Sequence, residues 1–447
     1  MSRGGKVLEG TLNSTVLNNG VEVFLIPTPK FKTVTVNLFL HQTLNRATAT
    51  ETALIPSVLE RGSKELPTSL KIRRKLEGLY GARLDSDILK KGERQLIVFS
   101  LDLIHDRFTG EGGSLLEKGL SILKSIVANP LVEGKGFKSA YVNQEKEQLA
   151  REIRGLINDK MSYAVERCVQ EMCAEENFGV YKYGRLEDLA SITPEGCYAY
   201  YRDLINHNPL QLYIVGDLEP EKVFSLLEEI FAFERGQGRE LSPVDVYHKV
   251  KEPRYVEERL AVNQGKLTLG FRTGTHYSDD DFFALLFYNG ILGGFPHSKL
   301  FQNVREKASL AYFAFSRLER HKGILMISSG IEVKNYERAL SIINKQVEQM
   351  ARGEIDLEEM ENTRRGLVNQ LRVLEDNPYQ LINYYLDGYI GGRGDTLEEF
   401  LQKIEQVTKD DVVRVAEKIK LDTVYFLRNN QDSNGEGDHL KGGEADA

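Results

Sequence analysis

Apolar residues recur along the first half of the chain with two different periods, which separate strands from helices. A period of two is typical of a strand with one buried face, whereas apolar residues three and four positions apart indicate a helix. The period of two predicts strands at Val21–Ile26, Lys32–Leu40, Gln95–Leu103 and Leu210–Val215. The helical period predicts helices at Glu51–Arg61, Leu70–Glu77 and Leu115–Val127, and a long, interrupted helical region at Phe137–Met172.

The same order of elements recurs in the second half of the chain. Strands are predicted at Lys266–Phe271, Gly323–Ile331 and Thr423–Leu427, and helices at Asp279–Leu292, Asn335–Ala351 and Leu357–Leu374. Short similar segments occur in the same order in both halves. For example, RRKLEGL (Arg73–Leu79) aligns with VREKASL (Val304–Leu310), and in this alignment Arg74 corresponds to Arg305. A tandem duplication of about 200 residues is the simplest explanation, because such a period is too long for a solenoid.

The duplication predicts an α+β fold of two homologous domains, each a mainly antiparallel sheet covered by helices. The first domain is expected at residues 1–234. Gly, Pro and charged residues indicate a linker at 235–255, and the second domain follows at 256–428. The remaining residues, 429–447, are acidic and rich in glycine, a composition that predicts a disordered tail.

One stretch of the second domain combines a glycine pair, a short helix and the start of a strand. The pair Gly293-Gly294 precedes an apolar helical pattern at Leu300–Ala308, which Ser298 is placed to cap. Arg305 therefore lies late on a helix, and Tyr312 lies where the next strand begins. A guanidinium and a phenol at such a corner can bind the backbone carbonyls of an extended peptide in one cavity. The alternative is an arginine on a solvated helix face and a tyrosine in the core.

Composition and charge indicate what type of protein this is and which partners it is expected to bind. The chain has 447 residues, of which 41% are apolar and 28% charged, as in ordinary globular proteins of more than one domain. Its net charge of −8, without a basic patch, argues against nucleic acid as a partner. No apolar run approaches the roughly 20 residues that span a membrane, and the N-terminus lacks the apolar core of a signal peptide. The cysteines form no CxxC pair, so reduced thiols and a cytoplasmic location are expected.

The run SKLFQNVREKASLAYF, at Ser298–Phe313, and the glycine pair before it resemble the second-half signature of the pitrilysin/insulinase family of metallopeptidases. This family includes the mitochondrial processing peptidases and their bacterial relatives, and the resemblance covers nearly the whole chain. It implies a two-domain, clam-like fold around an inner chamber. It also implies that Arg305 and Tyr312 form the substrate-binding pair of the second domain, with the glycine turn near the mouth of the chamber.

Active members of this family carry an HxxEH motif on a first-domain helix, where positions i, i+3 and i+4 share one face. Two imidazoles there bind zinc beside a glutamate that acts as general base. Aligned by the following Gly62-Ser63, this chain has Ala53, Pro56 and Ser57 at the three positions. None of these can replace the two histidines and the glutamate. The chain is therefore expected to bind no metal and to have no catalytic residues of its own.

Further candidate ligands are two glutamates and two histidines. The segment NQEKEQLAREI resembles the family's third-ligand segment and contains Glu145 and Glu152. Without the motif histidines, both glutamates are expected to be solvated residues of a helix. His41 and His297 have no other histidine nearby in the sequence, and such lone histidines are expected to be structural or exposed.

The resemblance therefore implies the non-zinc subunit of a heterodimer. In this hypothesis an HxxEH-bearing paralogue carries the zinc, and this chain is a catalytically incomplete subunit that binds an extended peptide substrate through Arg305 and Tyr312. The stretches ELPTSLKI, KLEGLYGARLDSD and LINDKMSYAVERCVQEM further resemble a bacterial subfamily without HxxEH. That subfamily is named for an association with the aminopentanol modification of elongation factor P.

Three alternatives stay open at this point. The first is a non-proteolytic peptide-binding or scaffold protein, with or without a link to elongation factor P modification. The second is an enzyme that uses Cys168, Cys173 or Cys197 as a nucleophile. The third is a homodimer, which would contain no zinc site.

Overall fold

The computed structural model describes residues 12–110 and 114–429. The tail predicted at 429–447 therefore lies, apart from its first residue, outside the described residues. Within the described ranges, no helix is both long enough and apolar enough to cross a membrane.

The first half of the chain alternates between strands and helices. Its strands are β1 (Asn13–Val16), β2 (Glu22–Pro27), β3 (Thr33–Thr43), β4 (Arg83–Lys91), β5 (Arg94–Ile104), β6 (Val132–Glu133), β7 (Gly136–Phe137) and β8 (Leu210–Gly216). Its helices are α1 (Ala49–Glu60), α2 (Ser69–Glu77), α3 (Leu115–Ala128), α4 (Ser139–Gly155), α5 (Lys160–Met172), α6 (Pro194–His207) and α7 (Pro220–Ile230). The break expected within the long helical region separates α4 from α5, and the Asp159 side chain caps α5 by accepting from two backbone N–H groups.

The second half contains another set of strands and helices. The strands are β9 (Arg254–Arg259), β10 (Gly265–Arg272), β11 (Ala311–Glu319), β12 (Ile324–Ile331) and β13 (Lys420–Arg428). The helices are α8 (Phe282–Asn289), α9 (Tyr336–Ala351), α10 (Leu357–Leu374), α11 (Pro378–Gly391), α12 (Leu397–Gln406) and α13 (Lys409–Lys418).

The two halves form sheets with the same connectivity. The first sheet has the strand order β1-β2-β8-β3-β5-β4, and the second has the order β11-β12-β10-β13-β9. Apart from β1, the strands correspond one to one. Each of these sheets has one parallel pair among its described strands, β2 with β8 and β13 with β9, and its other pairs are antiparallel. The predicted α+β class, with its duplicated and mainly antiparallel sheets, is confirmed. The domain boundaries at 234 and 255 stay a prediction.

One face of each sheet is covered by helices of its own half, because successive strand residues point to opposite faces. Val36 and Leu38 of β3 lie in the first core together with residues of α1 and α3, whereas Phe39 points to the other face. Leu267 and Leu269 of β10 likewise lie in the second core, together with residues of α8 and α9.

The opposite face of each sheet is covered by a helix from the other half of the chain. Ile382 and Leu386 of α11 pack against Tyr213 in the first sheet. Cys168 of α5 packs in a cluster with Met326 of the second sheet. The two halves thus exchange one helix each, so that separating them would expose two apolar surfaces to water.

Two equivalent hairpin turns meet where the halves join. The β4–β5 turn contains Lys91-Gly92 and the β11–β12 turn contains Lys322-Gly323, and both glycines have positive φ, +53° and +63°. A Cβ atom on Gly92 would lie 2.9 Å from the Cβ of His321. Glycine is therefore required at position 92 both for its backbone conformation and for the close approach of the second hairpin.

Buried ion pairs join the halves beside these turns. The Lys322 ammonium donates to Glu93 and to Glu176, at 2.7 Å in each case. The Arg272 guanidinium donates to Glu176 at 2.5 Å and to Asp422 at 2.9 Å. Burial alone would lower the pKa of Lys322, but the bonds to the two carboxylates outweigh burial and raise it. Both cations of this network come from the second half, and Glu93 and Glu176 come from the first.

Candidate functional site

The predicted substrate-binding stretch contains two π-helical turns, Gly290–Gly294 and Phe301–Lys307, where its apolar spacing predicts an α-helix. A Cβ atom on Gly293 would lie 2.5 Å from the backbone nitrogen of Ser316, so glycine allows the first turn to pack directly on β11. The predicted cap is wrong: the Ser298 carbonyl accepts from the turn, and its hydroxyl is buried without a partner among the described residues. π-Helical turns are rare and occur often at functional sites.

Two further distortions lie between these turns and the body of β11. Ser309 adopts the left-handed conformation with φ +50°, which costs energy for a residue other than glycine. The pairing of β11 with β12 then shifts between Ala311 and Phe313, which places Tyr312 in a β-bulge. β11 is also an edge strand of its sheet. Strained backbone and bulges of this kind concentrate beside functional sites.

Both residues of the predicted substrate-binding pair are accessible. The Arg305 guanidinium lies 4.5 Å from the centre of the Phe301 ring and 3.5 Å from the Glu306 carboxylate, and 43% of the Arg305 side chain is exposed. Tyr312 is 79% exposed, so the alternative of a core tyrosine is wrong. No hydrogen bond or cation–π contact joins Arg305 to Tyr312 in the described part of the chain. Their elements contact each other, however, so both side chains lie at one edge of the second sheet.

The helix that corresponds to the HxxEH helix is α1, which runs without interruption through Pro56. Ala53 and Pro56 are buried, and Ser57 is half-buried. None of the three has a side chain that binds zinc as an imidazole or a carboxylate does. Among the residues of 12–110 and 114–429, no group of three or more His, Cys, Asp and Glu side chains could hold a metal ion.

An ion pair lies beside α1, in the segment that resembles the family's third-ligand segment. Glu145 of α4 is only 5% exposed, and its carboxylate pairs with the guanidinium of Arg61, the residue after α1. The prediction that Glu145 is solvated is therefore wrong, because a positively charged neighbour compensates for its burial. The prediction for Glu152 is confirmed, since that residue is exposed.

Comparison with known proteins places the chain in a family. Residues 191–367 match the family described as "Peptidase M16 inactive domain". The chain is also 40% identical over 413 residues to the "Probable inactive metalloprotease YmfF" of Bacillus subtilis (strain 168), an alignment that covers 92% of this chain and 96% of that protein. The chain belongs to the M16 peptidase family.

Solved structures share the fold of this chain. The crystal structure of a conserved protein from Enterococcus faecalis V583 has a TM-score of 0.86 and 29% sequence identity, and the match covers 95% of this chain and 100% of that chain. The crystal structure of a protease from Helicobacter pylori has a TM-score of 0.80 over 94% of this chain and 99% of that chain. At 17% identity, this second likeness shows the fold alone.

This M16 protein is catalytically incomplete, because Ala53, Pro56 and Ser57 occupy the three motif positions of α1. The other candidate ligands do not restore a site. His41 is buried, and its Nε2 lies 2.9 Å from the side-chain oxygen of Gln211. Burial lowers the pKa of His41 to about 4, so its imidazole is neutral at neutral pH. His297 is half-buried and stacks on the ring of Phe295, with ring centroids 5.3 Å apart.

The three cysteines of this M16 protein are poorly suited to nucleophilic catalysis. Cys168, Cys173 and Cys197 are all buried, and burial raises the pKa of each thiol. For Cys173 the pKa is raised to about 12, even though the neighbouring Arg272 favours the thiolate. Because the thiolate is the reactive form, the structure argues against the alternative of a cysteine enzyme.

Sequence reasoning missed a charged cavity of about 360 Å³ where the two halves of the M16 fold meet. Its lining includes Lys91 from the first half, Gly294 from the predicted glycine turn, and Asp387 from α11. The available signal was the run Arg317–His321, which brings three basic or imidazole side chains to the end of β11. That signal was weak, because charged residues are ordinary in a hairpin turn.

Proposed function

We propose that this chain is the non-zinc subunit of a heterodimeric metallopeptidase. An M16 paralogue that carries HxxEH would hold the zinc, which activates water for peptide hydrolysis. Arg305 would donate hydrogen bonds to carbonyl groups of an extended peptide, and Tyr312 would contact its backbone. The contribution of this chain is then to orient the substrate beside the zinc of the other subunit.

The observation that carries this proposal is the strained segment from Gly290 to Tyr312. It contains two π-helical turns, a left-handed serine and a β-bulge, although α1, which corresponds to the HxxEH helix of active members, carries no metal ligands at the motif positions. Each distortion costs stability, and local strain of this kind is a feature of functional sites. The segment holds Arg305 and Tyr312 out toward solvent at the edge of a sheet, where an extended peptide can reach them.

The test is co-purification of the tagged chain with the HxxEH-bearing paralogue from its own cell, followed by assays for bound zinc and peptide cleavage. We expect one zinc ion per heterodimer and measurable hydrolysis. Arg305→Ala should preserve both the complex and its zinc, but lower kcat/KM by about tenfold or more. Lys307→Ala is the matched control, because Lys307 lies in the same turn and is also exposed.

Two outcomes would contradict the proposal. If the chain purifies alone, without metal and without activity, a non-proteolytic peptide-binding or scaffold role is the better explanation, and a link to elongation factor P modification could then be tested separately. If the complex forms but Arg305→Ala and Tyr312→Ala leave cleavage unchanged, the chain stabilises its partner without contacting the substrate.

A further inference from the structure

The cavity between the two halves is surrounded by more positive than negative side chains. Lys90 and Lys91 line it from the β4–β5 hairpin, and Arg317 and Arg320 line it from the β11–β12 hairpin. The Lys90 ammonium donates to the Val180 carbonyl at 3.0 Å, which leaves three cations against the two acidic side chains of the described lining, Glu319 and Asp387. An excess of positive charge in a partly enclosed cavity raises the local concentration of anions.

Asp387 contacts two of these cations, Lys91 and Arg320, and also His321. Its carboxylate lies 2.6 Å from the Lys91 ammonium, 3.0 Å from Nε2 of His321 and 3.5 Å from the Arg320 guanidinium. Burial alone would raise the pKa of Asp387, but these neighbours outweigh burial and hold it well below the usual range. The single Asp387 carboxylate therefore serves three partners, and the Arg320 contact is the longest of them.

Arg317 is a cation of this cavity that has no charged partner among the described residues. Its side chain is exposed at the end of β11, and it makes no hydrogen bond or ion pair with a residue of the described ranges. Glu319, two positions along, is engaged by two backbone N–H groups, those of Gly92 and His321. The Arg317 guanidinium is thus free to form a two-pronged pair with a carboxylate from outside the chain.

An apolar cavity of about 670 Å³ adjoins the charged one. The two cavities share six lining residues, Leu286, Phe295, Arg320, Leu367, Gln370 and Asp387. Further apolar side chains of the second cavity come from α10, α11 and α12, among them Leu371, Tyr384 and Phe400. A ligand that fits both cavities combines a negative group with bulky apolar groups.

We propose that these joined cavities bind a peptide carboxylate that is flanked by apolar side chains, with Arg317 and Arg320 as the residues that recognise the carboxylate. The inference rests on the proposed peptide-binding function and adds a substrate class to it. Residues 316–319 of β11 line the charged cavity, and Tyr312 lies near the other end of this edge strand, so a peptide extended along the strand edge can contact both. The carboxylate belongs either to the peptide C-terminus or to an internal acidic side chain.

The experiment is fluorescence anisotropy with the full-length chain and four labelled peptides of equal length. Two end in Leu-Phe, as the free acid or as the amide, and two are amidated and contain Leu-Glu-Phe or Leu-Gln-Phe near the end. We expect a carboxylate to tighten binding by about tenfold in one pair, which identifies its source. Arg317→Ala should abolish that difference without changing the affinity for the neutral peptides.

Arg338→Ala is the matched control, because Arg338 is an exposed arginine on α9, away from the cavity lining. It should leave the preference for a carboxylate intact. Equal binding of acidic and neutral peptides, or no binding of any of the four, would overturn the inference. A preference that survives in Arg317→Ala and in Arg320→Ala would overturn the assignment of the residues. These failures are distinct from failure of the proposed function, which depends on co-purification, zinc and the Arg305→Ala result.

Discussion

Arg61 and Glu145 form an ion pair beside α1, the helix whose motif positions carry no metal ligands. Glu145 lies in the segment that resembles the third-ligand segment of the family, and it remains buried although α1 has no metal ligands. A buried carboxylate without a positive partner costs several kcal/mol. The Arg61 guanidinium provides that partner in the absence of a metal. The Glu145 carboxylate is thus part of a structural ion pair.

Removing this partner should destabilise the fold. We expect Arg61→Ala to lower the free energy of unfolding by about 2 kcal/mol, because it leaves the Glu145 carboxylate buried and unpaired. Urea unfolding followed by circular dichroism measures the change. Arg154→Ala is the control, since Arg154 is an exposed residue of α4, and its effect should stay within about 0.5 kcal/mol. Equal effects of the two changes would show that Glu145 does not need a charged partner.

A second acidic side chain near α1 makes stability depend on pH. The pKa of Glu60 is raised from 4.5 to about 7, chiefly by burial. A hydrogen bond with Ser86 opposes this rise, and the neighbouring carboxylates of Asp85 and Glu145 add to it. One of its carboxylate oxygens is buried without a partner among the described residues. The folded state therefore keeps the proton up to about pH 7, whereas the unfolded state releases it near pH 4.5.

The stabilisation from protonated Glu60 is complete below pH 4.5 and is lost as the pH rises through 7. Glu60→Gln, which is neutral throughout, should have a higher Tm than the native protein at about pH 8 and nearly the same Tm at about pH 4.5. Differential scanning calorimetry across this range measures the effect. Glu147→Gln serves as the control, because Glu147 is exposed on α4. Parallel Tm curves for Glu60→Gln and the native protein would refute this role of Glu60.

At the scale of elements, the exchanged helices α5 and α11 explain why the two halves stay together. The sequence pattern did not indicate α11, because this helix is buried on two sides. Ile382 and Leu386 contact the first sheet, whereas Tyr384 lies in the second core. A helix with apolar residues on several faces has no clear helical period, so pattern analysis fails there.

Truncating a side chain of this helix should weaken the whole molecule. Leu386 is fully buried against the first sheet, and Leu386→Ala should lower the free energy of unfolding by about 3 kcal/mol. Limited proteolysis should also become faster in the connection at 235–255, since the contact between the halves is loosened. Leu357→Ala is the matched control, because Leu357 is 84% exposed at the start of α10. Slow proteolysis and an unchanged stability would show that α11 is not needed to hold the halves together.

The π-helical turns are another element that sequence patterns do not reveal. Leu300 and Val304 recur at the spacing of an α-helix, and both are buried as that spacing predicts. The wider turn is set by packing, because the neighbouring glycine turn lies directly against β11. Helical type is therefore decided by the neighbours of the segment and not by its own apolar residues.

At the scale of the whole molecule, the buried ion pairs set the relation between the halves. Lys322 is almost completely buried and bonds to Glu93 and Glu176 of the first half. Removing its charge would leave excess negative charge in a poorly solvated place. The network therefore favours one closed arrangement of the two sheets.

Lys322→Met should lower the free energy of unfolding by about 3 kcal/mol and increase the radius of gyration measured by small-angle X-ray scattering. The side-chain length is nearly conserved, so loss of charge is the main change. Lys334→Met is the control, because Lys334 pairs with Glu332 on the surface and both side chains are largely exposed. An unchanged radius and stability in Lys322→Met would show that apolar packing alone sets the arrangement.

The sequence by itself determined the duplicated α+β fold, most helices and strands, and the loss of HxxEH at Ala53, Pro56 and Ser57. These follow from residue type and local period, which are properties of neighbouring positions. The substrate-binding roles of Arg305 and Tyr312 stay a prediction.

The tertiary structure alone decided which charges meet and which helix covers which sheet. The pair of Lys91 and Asp387 joins residues 296 positions apart, and Arg61 reaches Glu145 across 84 positions. Electrostatic energy depends on distance in space, on burial and on the remaining neighbours, none of which is written in a local pattern. The exchanged helices, the buried Glu145 and the charged cavity therefore became visible only once the chain was folded.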